Sequence, residues 1–270
     1  MQFTDWFHLD KTLKSKDGKD IQVWSFRHDI KNSPAMSEWA KSFRNNYCVD
    51  SKLDRLRKGT SFSREDYLLE RLFPDKTDDW GPATRSGDFS EILIADFLEF
   101  LAGYWVPSRI RYQTKATRNS STQGCDVVAF KINDRTLSNP NDEALVVEVK
   151  AKYSGRKPNE NRLGDAVADS CKDPTRYPEF LNYAKKRFID TDNDEHADLI
   201  ERFQDDLNRP YKMKYGAAAL FDKIVYDDSL IEQTDCSLHS HKSSLRLLVV
   251  TGENMMTLVH HLYGLAANEA

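Results

Sequence analysis

The sequence predicts an α/β or α+β fold in which helices cover a sheet, as a three-layer or α+β sandwich. The first observation is size, because 270 residues, 39% hydrophobic and 30% charged, can bury a substantial core. The second is the order of periodic segments from residue 88 onward, which runs helix, strand, strand, strand, helix. The third is a pair of apolar runs, 127–130 and 144–147, joined by a polar loop typical of a hairpin.

Apolar residues recur at helical spacing most clearly over 88–105, where Gly103 and Pro107 end the pattern. Further helices are predicted over 37–47, 64–73, 161–172, 179–188, 199–207 and 255–267. Strands are predicted over 21–26, 110–114, 127–130, 145–151, 215–225 and 245–251. The segment 74–82 has the composition of a linker, so we expect an N-terminal α/β lobe over 1–80 and a larger domain over 81–270.

Bulk properties limit the function classes. The net charge of −4 argues against a free-standing, high-affinity nucleic-acid binder, although a nuclease with a local basic patch or a partner that feeds it DNA is compatible with it. No apolar run approaches the roughly 20 residues of a membrane span. Four scattered cysteines without a CxxC pair indicate a reducing, cytoplasmic environment.

Two strand ends carry the chemistry. Asp126 precedes one apolar run, and Glu148 and Lys150 close the next. Side chains two apart on a strand share a face, and facing Cβ atoms on paired strands lie roughly 5 Å apart. Pairing these strands therefore brings Asp126 near Glu148, close enough to share a divalent cation. The alternative is a surface ion pair on a half-exposed strand.

Mg²⁺ suits this set, with Mn²⁺ as a substitute, because it takes oxygen ligands and keeps several waters. Asp126, Glu148 and the backbone carbonyl of Val149 are the expected metal ligands. Lys150 could orient the attacking water, act as its base if its pKa is depressed, or neutralise charge in the transition state.

This order of residues resembles the PD-(D/E)XK nuclease superfamily, in which a mixed sheet flanked by helices carries the site. The resemblance implies that Asp126 and Glu148 bind metal and that Lys150 is the catalytic lysine. Cys125 stands where the nominal motif has proline, a position at which members often vary. Glu91 would correspond to the glutamate that many members carry on the first core helix, for the metal or the water. Its alternative is a local capping box from Asp88 to Glu91.

A closer resemblance covers roughly the segment 85–170. Ser86-Gly-Asp88 before an acidic-apolar helix, the Gly124-x-Asp126 strand, Val147–Ala151 and Leu163–Ala166 are similar to the HamA family. That family is the nuclease subunit of the Hachiman anti-phage system, and the resemblance implies a HamB-like helicase subunit as partner. The chain itself has no GxxxxGK[ST] motif, so any use of ATP belongs to a partner.

Basic residues flank the motif on both sides and could bind DNA phosphates if the strands pair as expected. The alternative is that they are solvated strand ends. The candidates for nucleic-acid binding are Arg109, Arg111, Lys115, Arg118 and Lys152. One cluster of zinc-type residues, Cys236, His239 and His241, lacks the second ligand pair of a structural zinc site.

These observations favour a Mg²⁺-dependent DNA nuclease, and the resemblance to the HamA family implies a role in anti-phage defence under the control of a helicase. Two other interpretations stay open: a restriction or repair endonuclease that acts alone, and a catalytically idle scaffold of the same fold that binds DNA or a helicase.

Overall fold

Six strands form one mixed sheet in the computed structural model, which describes residues 1–78 and 80–270. In chain order the strands are β1 (Phe7–Lys14), β2 (Asp20–Phe26), β3 (Val127–Lys131), β4 (Glu143–Lys152), β5 (Lys212–Asp222) and β6 (Leu245–Gly252). Across the sheet the order is β1-β2-β6-β5-β4-β3. The four central strands are parallel, and an antiparallel strand closes each edge. The predicted sheet flanked by helices is confirmed.

Helices cover both faces of this sheet. In chain order they are α1 (Ser33–Asn45), α2 (Asp50–Arg57), α3 (Arg64–Tyr67), α4 (Gly81–Asp96), α5 (Arg162–Ser170), α6 (Asp173–Ile189), α7 (Asp194–Gln204), α8 (Asp228–Glu232) and α9 (Met255–Asn268). One apolar cluster lies between the sheet and α1, α4 and α9, and a second lies between the sheet and α5, α6 and α7. Within the described residues, no helix combines the length and the apolar composition that a membrane span requires.

The β3–β4 hairpin forms as expected. Val127 faces Val147 in an antiparallel register, so the residue just before β3 lies beside the end of β4. Alternate residues of β4 enter different clusters: Val147 and Val149 belong to the α4 side, whereas Val146 belongs to the α6 side. This alternation directs the side chains of Glu148 and Lys150 towards α5 and α6.

The predicted N-terminal lobe shares the sheet and a core with the rest of the chain. β2 pairs in parallel with β6. Trp39 and Phe43 on α1 make ring contacts with Phe89 on α4 and Tyr263 on α9, at centroid distances of 5.9 and 4.8 Å. Residues from both 1–80 and 81–270 thus contribute to the sheet and to the apolar core. The division of the chain into two domains stays a prediction.

Two local predictions are wrong. The segment 110–114 is not a strand but part of a 3₁₀ helix, Pro107–Thr114, because Pro107 fixes a helical φ and cannot donate a backbone hydrogen bond. The helix expected at residue 88 begins earlier, at Gly81, where Pro82 occupies the first turn. It passes at Asp96 into a π-helical turn, Phe97–Leu101, and Gly103 follows with a φ of +71°.

Candidate active site

Asp126 lies in the plane of the sheet at the edge of β4. β3 begins at Val127, so Val149 extends past the last paired residue of β3. The N–H of Val149 instead donates to Oδ2 of Asp126, at 2.9 Å. The N–H and C=O of one strand residue point to the same edge, so the Val149 carbonyl also faces the Asp126 side. Gly124, with a φ of +95°, turns the chain into this position.

Glu148 is buried on the α6 side and is held by two cations. Its Oε1 accepts from Nζ of Lys150 at 2.8 Å, and its Oε2 accepts from Nη1 of Arg176 at 3.1 Å. Only 4% of the residue is exposed. A buried carboxylate of this kind needs a positive charge beside it, whether from a side chain or from a metal.

Lys150 is shared between two carboxylates. Its Nζ lies 2.8 Å from Glu148 Oε1 and 2.8 Å from Asp169 Oδ2 on α5. Burial alone would lower the pKa of Lys150, but the hydrogen bonds to Asp169 and Glu148 outweigh it and the pKa is raised. Lys150 is therefore protonated here, which favours a role in orienting water or neutralising charge over the role of a base.

Glu91 approaches Asp126 from the opposite face, on α4. Its Oε2 accepts from the hydroxyl of Tyr112 at 2.8 Å. The Arg111 guanidinium lies between the two acids, 3.9 Å from Glu91 Oε2 and 3.9 Å from Asp126 Oδ1. The alternative of a capping box from Asp88 to Glu91 is wrong, because α4 begins at Gly81 and both residues lie inside the helix.

The three acids interact electrostatically through Asp126. Burial, followed by the negative charges of Glu91 and Glu148, raises the pKa of Asp126 well above its usual range. Such a group of buried and partly buried carboxylates fits a hard divalent cation, which would relieve the repulsion. Among the residues that the structure describes, no three His, Cys, Asp or Glu side chains already stand together as a ligand set. A metal at this site would compete with Lys150 and Arg176 for Glu148.

Comparison with known proteins adds the family. The HamA family model matches residues 1–266 of the 270. The chain belongs to the HamA family. It is thus a component of the Hachiman anti-phage defence system, as the resemblance over the segment 85–170 implied. Neither the curated proteins nor the solved structures gave a match.

Three residues that surround Glu148 and Lys150 had no signal in the sequence. Asp169 on α5 holds Lys150, and Arg176 on α6 holds Glu148. Asp173, at the start of α6, lies 3.5 Å from Arg176 and is fully buried. All three follow the motif on later helices, so only the packing of α5 and α6 against β4 places them at the site.

Arg111 stabilises the loop that precedes β3 and carries Asp126. Its guanidinium donates to the carbonyls of Thr122, Cys125 and Asp126, and only 5% of the residue is exposed. The buried guanidinium thus anchors the loop that leads into β3 by hydrogen bonds to three of its carbonyls.

The five basic residues predicted to bind nucleic acid all have partners inside this HamA-family chain. Their partners are Asp96 and Glu99 for Arg109, backbone carbonyls for Arg111, Asp88 for Lys115, Asp75 for Arg118 and Glu160 for Lys152. The side chains range from 4% to 22% exposed. These contacts give them structural roles, and their contact with nucleic acid stays a prediction. The zinc-type residues also have other partners: His239 Nε2 lies 3.0 Å from Ser170 Oγ.

Proposed function

We propose that the chain is the metal-dependent DNA nuclease of its Hachiman system, hydrolysing backbone phosphodiesters in the cytoplasm under the control of a helicase partner. The observation that carries the proposal is the grouping of Asp126, Glu148 and Lys150 at one end of β4, with Glu91 approaching from the other face. Family membership supports it, because HamA is the family of the Hachiman nuclease subunit.

Each side chain has a task in this proposal. Asp126, Glu148 and the Val149 carbonyl hold Mg²⁺ or Mn²⁺, and Glu91 completes the shell of the metal or its water. A divalent cation there lowers the pKa of water and stabilises negative charge on phosphate. Lys150 keeps its proton and stands beside Glu148, where it orients the nucleophile and neutralises charge on the phosphate.

Metal binding should strengthen as the pH rises. A carboxylate must lose its proton before it binds a metal, and the pKa of Asp126 is raised by burial and by Glu91 and Glu148. While Asp126 is largely protonated, the affinity for Mn²⁺ is expected to grow by up to about tenfold per pH unit. Calorimetric titration with Mn²⁺ at intervals from about pH 4 to pH 8 measures this, with buffers of matched ionic strength. A flat affinity over that range would contradict the assignment of Asp126 as a ligand.

DNA contact is expected to depend on the segment after β4. Arg156 and Lys157 are exposed in this segment, a short distance beyond Lys150 in the chain. They could reach the phosphates on either side of the cleaved bond. A few such contacts on a chain of net charge −4 give weak binding that falls steeply with salt.

Control by a helicase follows from this weak binding. A partner that holds and opens DNA raises its local concentration at the nuclease. We expect a stable complex with the helicase subunit, poor cleavage by the isolated chain and ATP-sensitive cleavage by the complex.

The experiment compares cleavage of linear duplex DNA at near-physiological salt by the chain alone and by the complex, with and without ATP. Glu148→Gln in both preparations controls for contaminating nuclease. Rapid cleavage by the isolated chain, unchanged by partner or nucleotide, would favour an endonuclease that acts alone. Absence of metal-dependent cleavage in every arm would favour the idle scaffold.

A further inference from the structure

We infer that Arg176 competes with the divalent cation for Glu148 in the resting protein and, once displaced, binds the phosphate of the substrate while Asp173 holds it. The inference rests on the proposed function, and it assigns to Arg176 both a metal-competing and a phosphate-binding role. It starts from the fact that both oxygens of Glu148 are occupied by side-chain cations.

The competition follows from charge. Lys150 and Arg176 bring two positive charges to Glu148, which is one of the predicted metal ligands. A divalent cation would be the largest local charge at the site, and it repels both. Each oxygen of Glu148 keeps a lone pair for the metal, but a divalent cation bound there would lie close to both side-chain cations, and the repulsion favours displacement of at least one of them.

Each cation has a second carboxylate to which it can retreat. Lys150 contacts Asp169 at 2.8 Å, and Arg176 contacts Asp173 at 3.5 Å. Asp169 is partly exposed, and its two carboxylate oxygens already contact the ammonium groups of Lys150 and Lys172. Asp173 differs, because it is fully buried and, in the part of the chain that the structure describes, neither of its oxygens accepts a hydrogen bond.

Asp173 is thus a buried carboxyl group whose oxygens accept no hydrogen bond from a cation among the described residues. A buried carboxylate without hydrogen bonds is costly unless a positive charge approaches it or it takes up a proton, and burial raises the pKa of Asp173 to about 7. Arg176 lies three positions further along α6, on the same face, and its guanidinium is the group that can close the 3.5 Å gap. Leaving Glu148 lets Arg176 shorten its contact with Asp173, so displacement keeps the arginine at the site.

The guanidinium is suited to phosphate. It has five N–H donors in a planar fork, so contact with Asp173 leaves donors for a phosphate oxygen pair. The side chain is 29% exposed, whereas Glu148 beneath it is 5% exposed. Arg176 is therefore more accessible than Glu148 to a phosphate that approaches from solvent.

The test measures metal affinity and cleavage separately. Arg176→Ala is expected to bind Mn²⁺ about tenfold more tightly than the wild type in the absence of DNA, within the range typical of coupled sites. The same variant is expected to cleave DNA about 100-fold more slowly at saturating metal, the order found when one charge-stabilising donor is lost. Arg176→Lys keeps the charge without the fork and should restore wild-type metal affinity but not cleavage. Lys186→Ala, which removes an exposed cation from the same helix, should change neither.

Arg176→Ala leaves Asp173 buried without its cation, which could destabilise the fold. A second variant therefore separates the loss of the arginine from misfolding. The double variant Asp173→Asn with Arg176→Gln removes both charges and should show the same opposite changes in metal affinity and cleavage. Metal affinity that is unchanged or weaker in both Arg176→Ala and the double variant overturns the inference, while wild-type cleavage leaves the proposed function standing. A wild-type protein that neither binds Mn²⁺ nor cleaves, with or without its helicase, overturns both.

Discussion

Replacing Glu148 with glutamine is expected to reduce metal-dependent DNA cleavage by about 100-fold or more while the protein stays folded. Glutamine has nearly the same shape, but it cannot supply the charged oxygen ligand. The two cations on Glu148 each have another carboxylate, Asp169 for Lys150 and Asp173 for Arg176, so neither is left without a partner. Lys150→Ala should lose cleavage to a similar extent, because within the described residues no other lysine contacts Glu148.

The control is an exposed pair of the same chemistry, Lys223 and Glu253, whose side chains lie 2.9 Å apart and are 47% and 70% exposed. Lys223→Ala and Glu253→Gln should retain wild-type cleavage and phage protection, since surface ion pairs contribute little to stability. Circular dichroism and thermal unfolding check that each variant is folded. Near-wild-type nuclease activity in purified Glu148→Gln, with the complex intact, would remove Glu148 from the site.

Asp126→Asn should separate stability from function. A carboxyl whose pKa is raised by folding stabilises the protein fully only below its unfolded-state pKa, and that contribution is lost as the pH rises through the folded-state pKa. Burial and the charges of Glu91 and Glu148 raise the pKa of Asp126, so its ionised form destabilises the metal-free protein near neutral pH. Asparagine removes the charge and keeps an oxygen for the Val149 N–H, 2.9 Å away in the wild type.

We therefore expect Asp126→Asn to unfold at a temperature about 2 °C higher or more in the presence of a chelator. The variant should also lose the rise in unfolding temperature that Mn²⁺ gives the wild type, and cleavage should fall by about 100-fold or more. Thermal scans with and without Mn²⁺ measure both effects. Asp134→Asn is the control, because its exposed carboxylate accepts from Thr136 and Leu137, which lower its pKa, so its removal should not stabilise. A metal-free Asp126→Asn that is less stable than the wild type would contradict the electrostatic account.

The sequence predicts the hairpin and its register because local signals agree there. The polar loop between residues 131 and 143 joins two apolar strands, and their alternation fixes which face Glu148 and Lys150 share. Asp126 then falls beside the end of β4 by counting residues. Glu91 could be named as a candidate, but only the earlier start of α4 excludes its alternative as a cap.

The partners of the motif residues could not be predicted, because long-range packing supplies them. Arg176 reaches Glu148 from a helix 28 residues further along the chain, and no spacing rule links the two. The basic residues predicted to bind DNA also have partners that the sequence did not indicate. A run of cations with few acids nearby in sequence suggests a phosphate-binding surface, yet Arg109 meets Asp96 and Lys115 meets Asp88, both on α4. Charge patterns along a chain do not say which carboxylates the fold brings back to them.

The position of β6 in the sheet has a consequence for biosynthesis. β1 and β2 form a hairpin that is complete at Phe26, and β3, β4 and β5 are all complete at Asp222. Yet Ile21 on β2 pairs with Leu247 on β6, which is the last strand to be made and also the neighbour of β5. Until β6 has left the ribosome, the β1–β2 hairpin and the β3–β4–β5 sheet each have an unpaired edge. Pairing across such a long sequence separation is slow, and the unpaired edges can meanwhile associate with other chains. A chain terminated before Leu245 would keep both edges open, so its expected fate is aggregation rather than a partly active enzyme.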